Sequence, residues 1–127
     1  MFTVDLAGDE IITAVQFKPV KSAAYAKLHQ RASHFAIVGV AAAVDVKGGV
    51  FQSARVGLTG ATSHAVRLSA VEQALAGKPA TKETIASASA AASVGDLNSD
   101  IHASDDYRRA MLKVFTRRAL EAALARA

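Results

Sequence analysis

The sequence predicts an α+β fold: a small antiparallel sheet of about three strands, followed by a three-helix bundle packed on one of its faces. Three observations carry this. Apolar residues alternate at period two through much of the first 60 residues. The spacing then lengthens to three and four, in a stretch rich in Ala. Between the two longest extended runs stands Lys47-Gly48-Gly49, a tight-turn sequence.

Composition agrees. Of 127 residues, 51% are hydrophobic and 20% charged, a balance that folds rather than staying disordered. The length suits one domain, so residues 1–127 are read as a single unit. Trp is absent and aromatics make only 6%, so small aliphatic side chains must fill the core. No apolar run approaches the roughly 20 residues of a membrane-spanning helix, and no secretory signal pattern opens the chain. The absence of Cys excludes disulfides, thiolate nucleophiles and Cys-held zinc or iron–sulfur clusters within this chain, and it fits a cytoplasmic protein. The formal charge is +4. Scattered surface charge explains that excess more simply than a nucleic-acid footprint does.

The elements follow in order. Asp9-Glu10-Ile11-Ile12-Thr13-Ala14-Val15-Gln16-Phe17-Lys18-Pro19 reads as a strand ended by Pro, with Ile11, Val15 and Phe17 on one face. Nothing before it has the length of a domain, which suggests a piece of something longer. Residues 23–31 are good helix formers, yet at period two Ala24, Ala26 and Leu28 share one face and Tyr25, Lys27 and His29 the other. Residues 36–46 are apolar on both faces, as in a central strand covered on both sides: Val38, Val40, Val44 and Val46 on one side, Ile37, Gly39, Ala41 and Ala43 on the other. The Gly/Ala face leaves room for close approach to the backbone. After the turn, Val50, Ala54, Val56 and Leu58 alternate with Phe51, Ser53, Arg55 and Thr59, and Gln52 is a misfit on the apolar side.

Ser69 with Glu72 has capping-box spacing for a first helix, ended by Gly77 and Pro79. Thr81 caps a second, running through Ile85 to Val94. Ser104 caps the third and longest, to about Arg126, with Asp105 and Asp106 suiting its N-terminal dipole. Tyr107, Met111, Val114 and Phe115 are its expected core stripe.

Residue chemistry alone is sparse. His29, His34, His64 and His102 form no metal-ligand spacing. No nucleophile elbow is present. Gly57-Leu58-Thr59-Gly60-Ala61-Thr62-Ser63 has a faint look of a phosphate loop but lacks the lysine of one, and a strand-to-helix bend is the better reading. Arg109, Lys113 and Arg117 line up at i, i+4, i+8, a solvated face or a docking stripe for an acidic partner. No aromatic residue interleaves with the stripe to stack bases.

Three blocks occur in a recognisable order: Ala24-Tyr25-Ala26-Lys27, Arg31 and Phe35-Ala36; Ala54-Arg55-Val56-Gly57-Leu58-Thr59-Gly60, Val66-Arg67, Glu72, Leu75 and Gly77-Lys78; and Asp100-Ile101-His102-Ala103-Ser104-Asp105-Asp106-Tyr107-Arg108-Arg109 with Arg117-Arg118-Ala119-Leu120. Together they resemble the C-terminal domain of the FAD-binding (medium) subunit of molybdenum hydroxylases, the carbon monoxide dehydrogenase and xanthine dehydrogenase group. The resemblance runs from about Glu10 to the end. It implies a three-stranded antiparallel sheet with a three-helix bundle, and it tips residues 23–30 towards an extended segment.

The resemblance further implies that the chain is a C-terminal portion whose FAD phosphate-binding domain lies elsewhere. The partners it implies are that N-terminal domain, an iron–sulfur small subunit and a molybdenum large subunit. Electrons would pass from the clusters through FAD to an acceptor. Tyr25, Lys27 and Arg31 are the cofactor-facing candidates. An extended backbone aims Tyr25 and Lys27 the same way, about 6–7 Å apart. A Tyr ring there can cover the flavin ring, and a Lys ammonium favours its reduced form. Alone, the chain is expected to be colourless and inactive. The alternative is a non-enzymatic module that docks onto a partner subunit. Self-association through the Gly/Ala face or the basic stripe is a further option. Two departures from the family stand out: Ser33-His34 where Asp commonly precedes the aromatic-Ala pair, and Ala65 where Pro precedes the Val-Arg pair.

Overall fold

The computed structural model describes residues 6–127. Four strands, β1 (Ala23–His29), β2 (Ala36–Lys47), β3 (Val50–Thr59) and β4 (Val66–Arg67), form one antiparallel sheet in the order β1-β2-β3-β4. Three helices follow: α1 (Ser69–Leu75), α2 (Lys82–Ala90) and α3 (Asp105–Leu124). The expected α+β arrangement holds, with one short strand more than expected. Residues 23–29 are extended, as the resemblance implied.

All three helices cover one face of the sheet. Ala24, Val38, Val40, Ala42, Val44, Ala54, Val56 and Leu58 point into the core, where Val71, Leu75, Ile85, Leu112, Phe115 and Leu120 meet them. Val38, Val40, Ala42 and Val44 alternate with Ala41 and Ala43 because each side chain must choose one of two layers, and since the second layer is open, β2 is central but not covered on both sides as expected. The β2–β3 turn has Gly48 at φ 60 and Gly49 at φ 73, left-handed values that Gly adopts without a Cβ clash.

The expected strand over Asp9 to Pro19 does not form. Residues 11–20 have no regular structure and lie exposed. A period-two pattern makes a strand only where a sheet edge accepts its hydrogen bonds. Here the chain joins the body only at its end, where the Ser22 carbonyl accepts from the Val44 N–H at 2.9 Å.

Three local expectations shift. A bulge between Asp45 and Val46 pairs Val46 with Phe51 and Asp45 with Ser53, leaving Gln52 as the extra residue. The bulge resets the alternation, so Phe51 is buried in the core instead of facing outward. Glu72 does not close a capping box on α1. Its N-cap is Leu68, whose side chain has no acceptor to cap with, and the Glu72 carboxylate is taken by Arg67 and by the Val56 N–H. The buried stripe of α3 is Arg108, Leu112, Phe115, Thr116, Ala119, Leu120 and Ala123, while Tyr107 and Val114 stand exposed. The stripe is rotated because Arg108, a cation, belongs to it.

Thr81 and Ser104 do cap α2 and α3, each side chain accepting a backbone N–H three residues on. α2 ends at Ala90, short of Val94: the N–H groups of Ala91 and Ala92 bond back three residues, to Ala88 and Ser89, and tighten the last turn.

Candidate functional site

The uncovered face of the sheet is built of small residues rimmed by large ones. The register places Tyr25, Ala41, Gly57 and Arg67 in one row across all four strands. Lys27, Gly39 and Thr59 make the next row, and Ala23, Ala43 and Arg55 the row on the other side. The floor is thus Ala and Gly, with Tyr25 and Lys27 along one edge and Arg55 and Arg67 along the other. The floor opens into a shallow trough of about 570 Å³ that reaches Tyr25, Arg55, Arg67 and Arg126. That volume is in the range of sites for organic ligands.

Tyr25 is 52% exposed. A Cβ placed on Gly39 would stand 2.2 Å from the Tyr25 hydroxyl, so the end of the ring lies over that glycine. The room expected beside the Gly/Ala face is therefore real, and part of it is occupied by the tyrosine itself.

Lys27 shares the face. Its Nζ donates to the His34 carbonyl at 2.7 Å. That carbonyl is aimed by a compact loop over residues 30–35. Gln30 N–H donates to Phe35, His34 N–H donates to Gln30, and the Gln30 side chain accepts from Ala32 and Ser33, both at 2.7 Å. His34 has φ 59, a left-handed conformation that Asn, Asp and His adopt more readily than most residues. The His29 and His34 rings stack beside it, centroids 4.9 Å apart. The departure from Asp at this position therefore keeps a residue type suited to the turn.

Arg31 is not brought to this face. It lies exposed in the loop and lines a separate cleft with Leu28, Ile37, Ile101, His102 and Tyr107. The loop's hydrogen bonds come from Gln30.

On the far edge, Arg67 holds Glu72 in two bonds, Nε–Oε1 at 2.6 Å and Nη2–Oε2 at 2.5 Å. The Val56 N–H adds a third at 2.8 Å. The Arg67 guanidinium, and after it this amide, hold the Glu72 carboxyl below the usual carboxylate range. The face and its trough thus carry three cations outside the ion pairs of the described residues, Lys27, Arg55 and Arg126, with Asp45 exposed on the same face.

Arg108 was missed as a fixing point by sequence reasoning. It is 1% exposed, and it donates to the carbonyls of Ile37 (2.6 Å), Gly60 (3.1 Å) and Ala103 (3.4 Å) and to Asp100 Oδ2 (2.6 Å). It ties the start of β2, the end of β3 and the loop before α3 into one unit. A charge among apolar neighbours gives no periodic signal. Its place in the Asp100-to-Arg109 block was the only mark.

The faint phosphate loop resolves into the end of β3 and a bend at Gly60, with no helix N-terminus there to receive an anion. Among the described residues, no group of three or more His, Cys, Asp and Glu is placed to hold a metal ion. No helix among them is long and apolar enough to cross a membrane. Arg109, Lys113 and Arg117 are exposed on α3, and Arg117 Nε bonds Glu121 at 2.8 Å.

Residues 23–123 match the family described as the CO dehydrogenase flavoprotein C-terminal domain. This chain belongs to that family. It is 34% identical over 104 residues to the carbon monoxide dehydrogenase medium chain of Hydrogenophaga pseudoflava, covering 81% of this chain and 36% of that one. Among solved structures, quinoline 2-oxidoreductase from Pseudomonas putida 86 superposes with a TM-score of 0.77 at 29% identity, over 84% of this chain and 38% of the other. Reconstituted CO dehydrogenase from Oligotropha carboxidovorans gives a TM-score of 0.76 at 31% identity, over 84% and 37%. The flavoprotein C-terminal domain thus spans just over a third of the length of these relatives.

A flat floor of Ala and Gly, an aromatic ring over Gly39 and an ammonium at the rim fit a planar, electron-accepting ring system.

Proposed function

We propose that this flavoprotein C-terminal domain forms one wall of a flavin pocket in a molybdenum hydroxylase-type oxidoreductase. The observation that carries the reading is the common projection of Tyr25 and Lys27 from β1 onto a small-residue sheet face. Bound FAD supplies the electron relay between iron–sulfur clusters and an acceptor. Tyr25 covers the ring and excludes water from it. Lys27, held by the His34 carbonyl, places a positive charge at its rim and favours the electron-rich state. Arg31 stands off the face, beside the separate cleft next to Tyr107, and is given no contact with the ring.

FAD phosphates are held by a preceding domain, and the iron–sulfur and molybdenum subunits complete the assembly. One aromatic contact contributes about 0.5–1.5 kcal/mol beyond area burial, whereas micromolar binding needs about 8 kcal/mol. The isolated chain is therefore flavin-free and inactive.

Flavin titration tests this. Adding the chain to an N-terminal FAD domain of a medium subunit tightens flavin binding, and Tyr25→Ala reverses the gain. A chain that binds such a domain with no change in flavin affinity is instead a docking module. The unpaired charge of Arg55 on the open face favours that second reading.

A further inference from the structure

We propose that the stacked His29–His34 pair is a proton-sensitive latch on the loop over residues 30–35: when both rings are charged, the loop opens and the His34 carbonyl releases Lys27. The consequence for a flavin rests on the reading above, whereas the latch stands on this chain's own geometry.

The two rings lie face to face, centroids 4.9 Å apart and 20° from parallel. Both residues are exposed, so water supplies the protons. Imidazole is the side chain whose charge ordinarily changes between about pH 5 and 8. Neutral rings stack, but two imidazolium rings at this separation repel. The pair joins the end of β1 to the far side of the loop. Few other ties close that loop. His34 N–H donates to the Gln30 carbonyl and Gln30 N–H to the Phe35 carbonyl, both at 2.9 Å, and the Gln30 side chain accepts from Ala32 and Ser33. His34 sits at φ 59, a conformation that persists only while its surroundings hold it.

The surroundings add positive charge and no negative charge. Of the ionisable groups around the cleft beside His29, Arg31 comes from the loop, His102 from the segment before α3 and Tyr107 from α3. β2 contributes only Ile37 there. Lys27 reaches His34 from β1. Among the described residues no carboxylate lines this cleft. Asp100 is spent on Arg108 and on the N–H groups of His102 and Ala103. Asp105 and Asp106, in the first turn of α3, line no part of it. A doubly charged pair therefore has no counter-ion in the fold.

Lys27 carries the consequence. Its Nζ donates to the His34 carbonyl at 2.7 Å, its one bond among the described residues. Opening of the loop removes that acceptor, and the ammonium is no longer fixed at the rim of the open face. His34 is thus a positioning residue for Lys27, and it acts only while the pair is not doubly charged.

Amide exchange in the 127-residue chain, followed by NMR from pH 7.5 to pH 5, tests the latch. Protection of the Gln30 and His34 amides, each referred to the free-peptide rate at the same pH, falls about four-fold or more, the effect of two unit charges at this separation in water. The fall runs in step with the ring signals of His29 and His34. His34→Asn keeps a residue suited to the left-handed turn and removes the charge; His29→Gln removes the other half of the pair. In each variant protection no longer follows pH, whereas His102→Gln keeps the response. Constant protection in the native chain, or a fall that persists in both pair variants, overturns the proposal. The flavin reading is judged separately, in a Hydrogenophaga pseudoflava medium chain whose C-terminal domain is replaced by residues 23–127 of this chain. Flavin affinity that ignores Tyr25→Ala while the loop responds overturns that reading and leaves the latch standing. Affinity weakened by Tyr25→Ala while the loop stays silent overturns the latch alone.

Discussion

Gly39 and Tyr25 fit one another at the level of single atoms. In a Gly39→Ala variant the new methyl would meet the tyrosine hydroxyl, at 2.2 Å in the present geometry, and the ring end must swing away. The atom displaced is the tip of an exposed side chain, and Ala suits a strand better than Gly, so stability changes by less than about 1 kcal/mol. The near-ultraviolet signal of Tyr25 shifts nonetheless. Gly60 behaves oppositely. It has φ 80, and a Cβ there would lie 2.1 Å from the Ala36 carbonyl oxygen, which is backbone and fixed. Gly60→Ala costs about 2 kcal/mol or more in denaturant unfolding.

Arg108→Met leaves the buried carbonyls of Ile37 and Gly60 without donors and lowers stability by about 2–4 kcal/mol. Arg108→Lys rescues little, since one ammonium cannot reproduce the fork. Glu72 gives the pH dependence. Its pKa is lowered on folding, chiefly by Arg67. The stabilisation is therefore complete above the unfolded carboxylate value and is lost as pH falls through the lower folded value, below about pH 4. Asp100 acts in the same direction, held down first by the His102 N–H. Glu72→Gln lowers the midpoint at pH 7 and flattens its fall on acidification.

At the scale of elements, α3 carries a buried hydroxyl with no partner, Thr116 Oγ1. Thr116→Val keeps the shape and removes the unsatisfied group, so it leaves stability unchanged or raises it by about 1 kcal/mol. Thermal unfolding measures this directly. The elements also show how far the sequence could be read. β2, the Gly48-Gly49 turn and the Thr81 and Ser104 caps follow local rules of period, turn chemistry and hydrogen bonding, and each stands where those rules put it. The bulge at Gln52 left only a misfit residue as its sign. The register of α3 failed because Arg108 looks like a surface residue and is buried by acceptors remote in the chain. The pattern at Ile11 to Phe17 was visible, but whether it becomes a strand depends on an edge that local sequence does not encode. Tyr25 and Lys27 were legible as a pair once β1 was extended. Arg31 stands off that face because loop direction after β1 is set by Gln30 and by the left-handed His34.

The whole molecule is a one-sided sheet: helices fill one face, and the other is open. In this member of the flavoprotein C-terminal domain family, the open face is the one we propose for a flavin ring. The decisive measurement is flavin affinity, with and without Tyr25→Ala, in a Hydrogenophaga pseudoflava medium chain whose C-terminal domain is replaced by residues 23–127 of this chain. Loss of the ring cover weakens binding roughly two- to twelve-fold, the span of one aromatic contact, while Lys27→Met lowers the flavin reduction potential. Unchanged affinity and potential in both variants, in a chimera that folds and holds flavin, would contradict the assignment of this face to the cofactor.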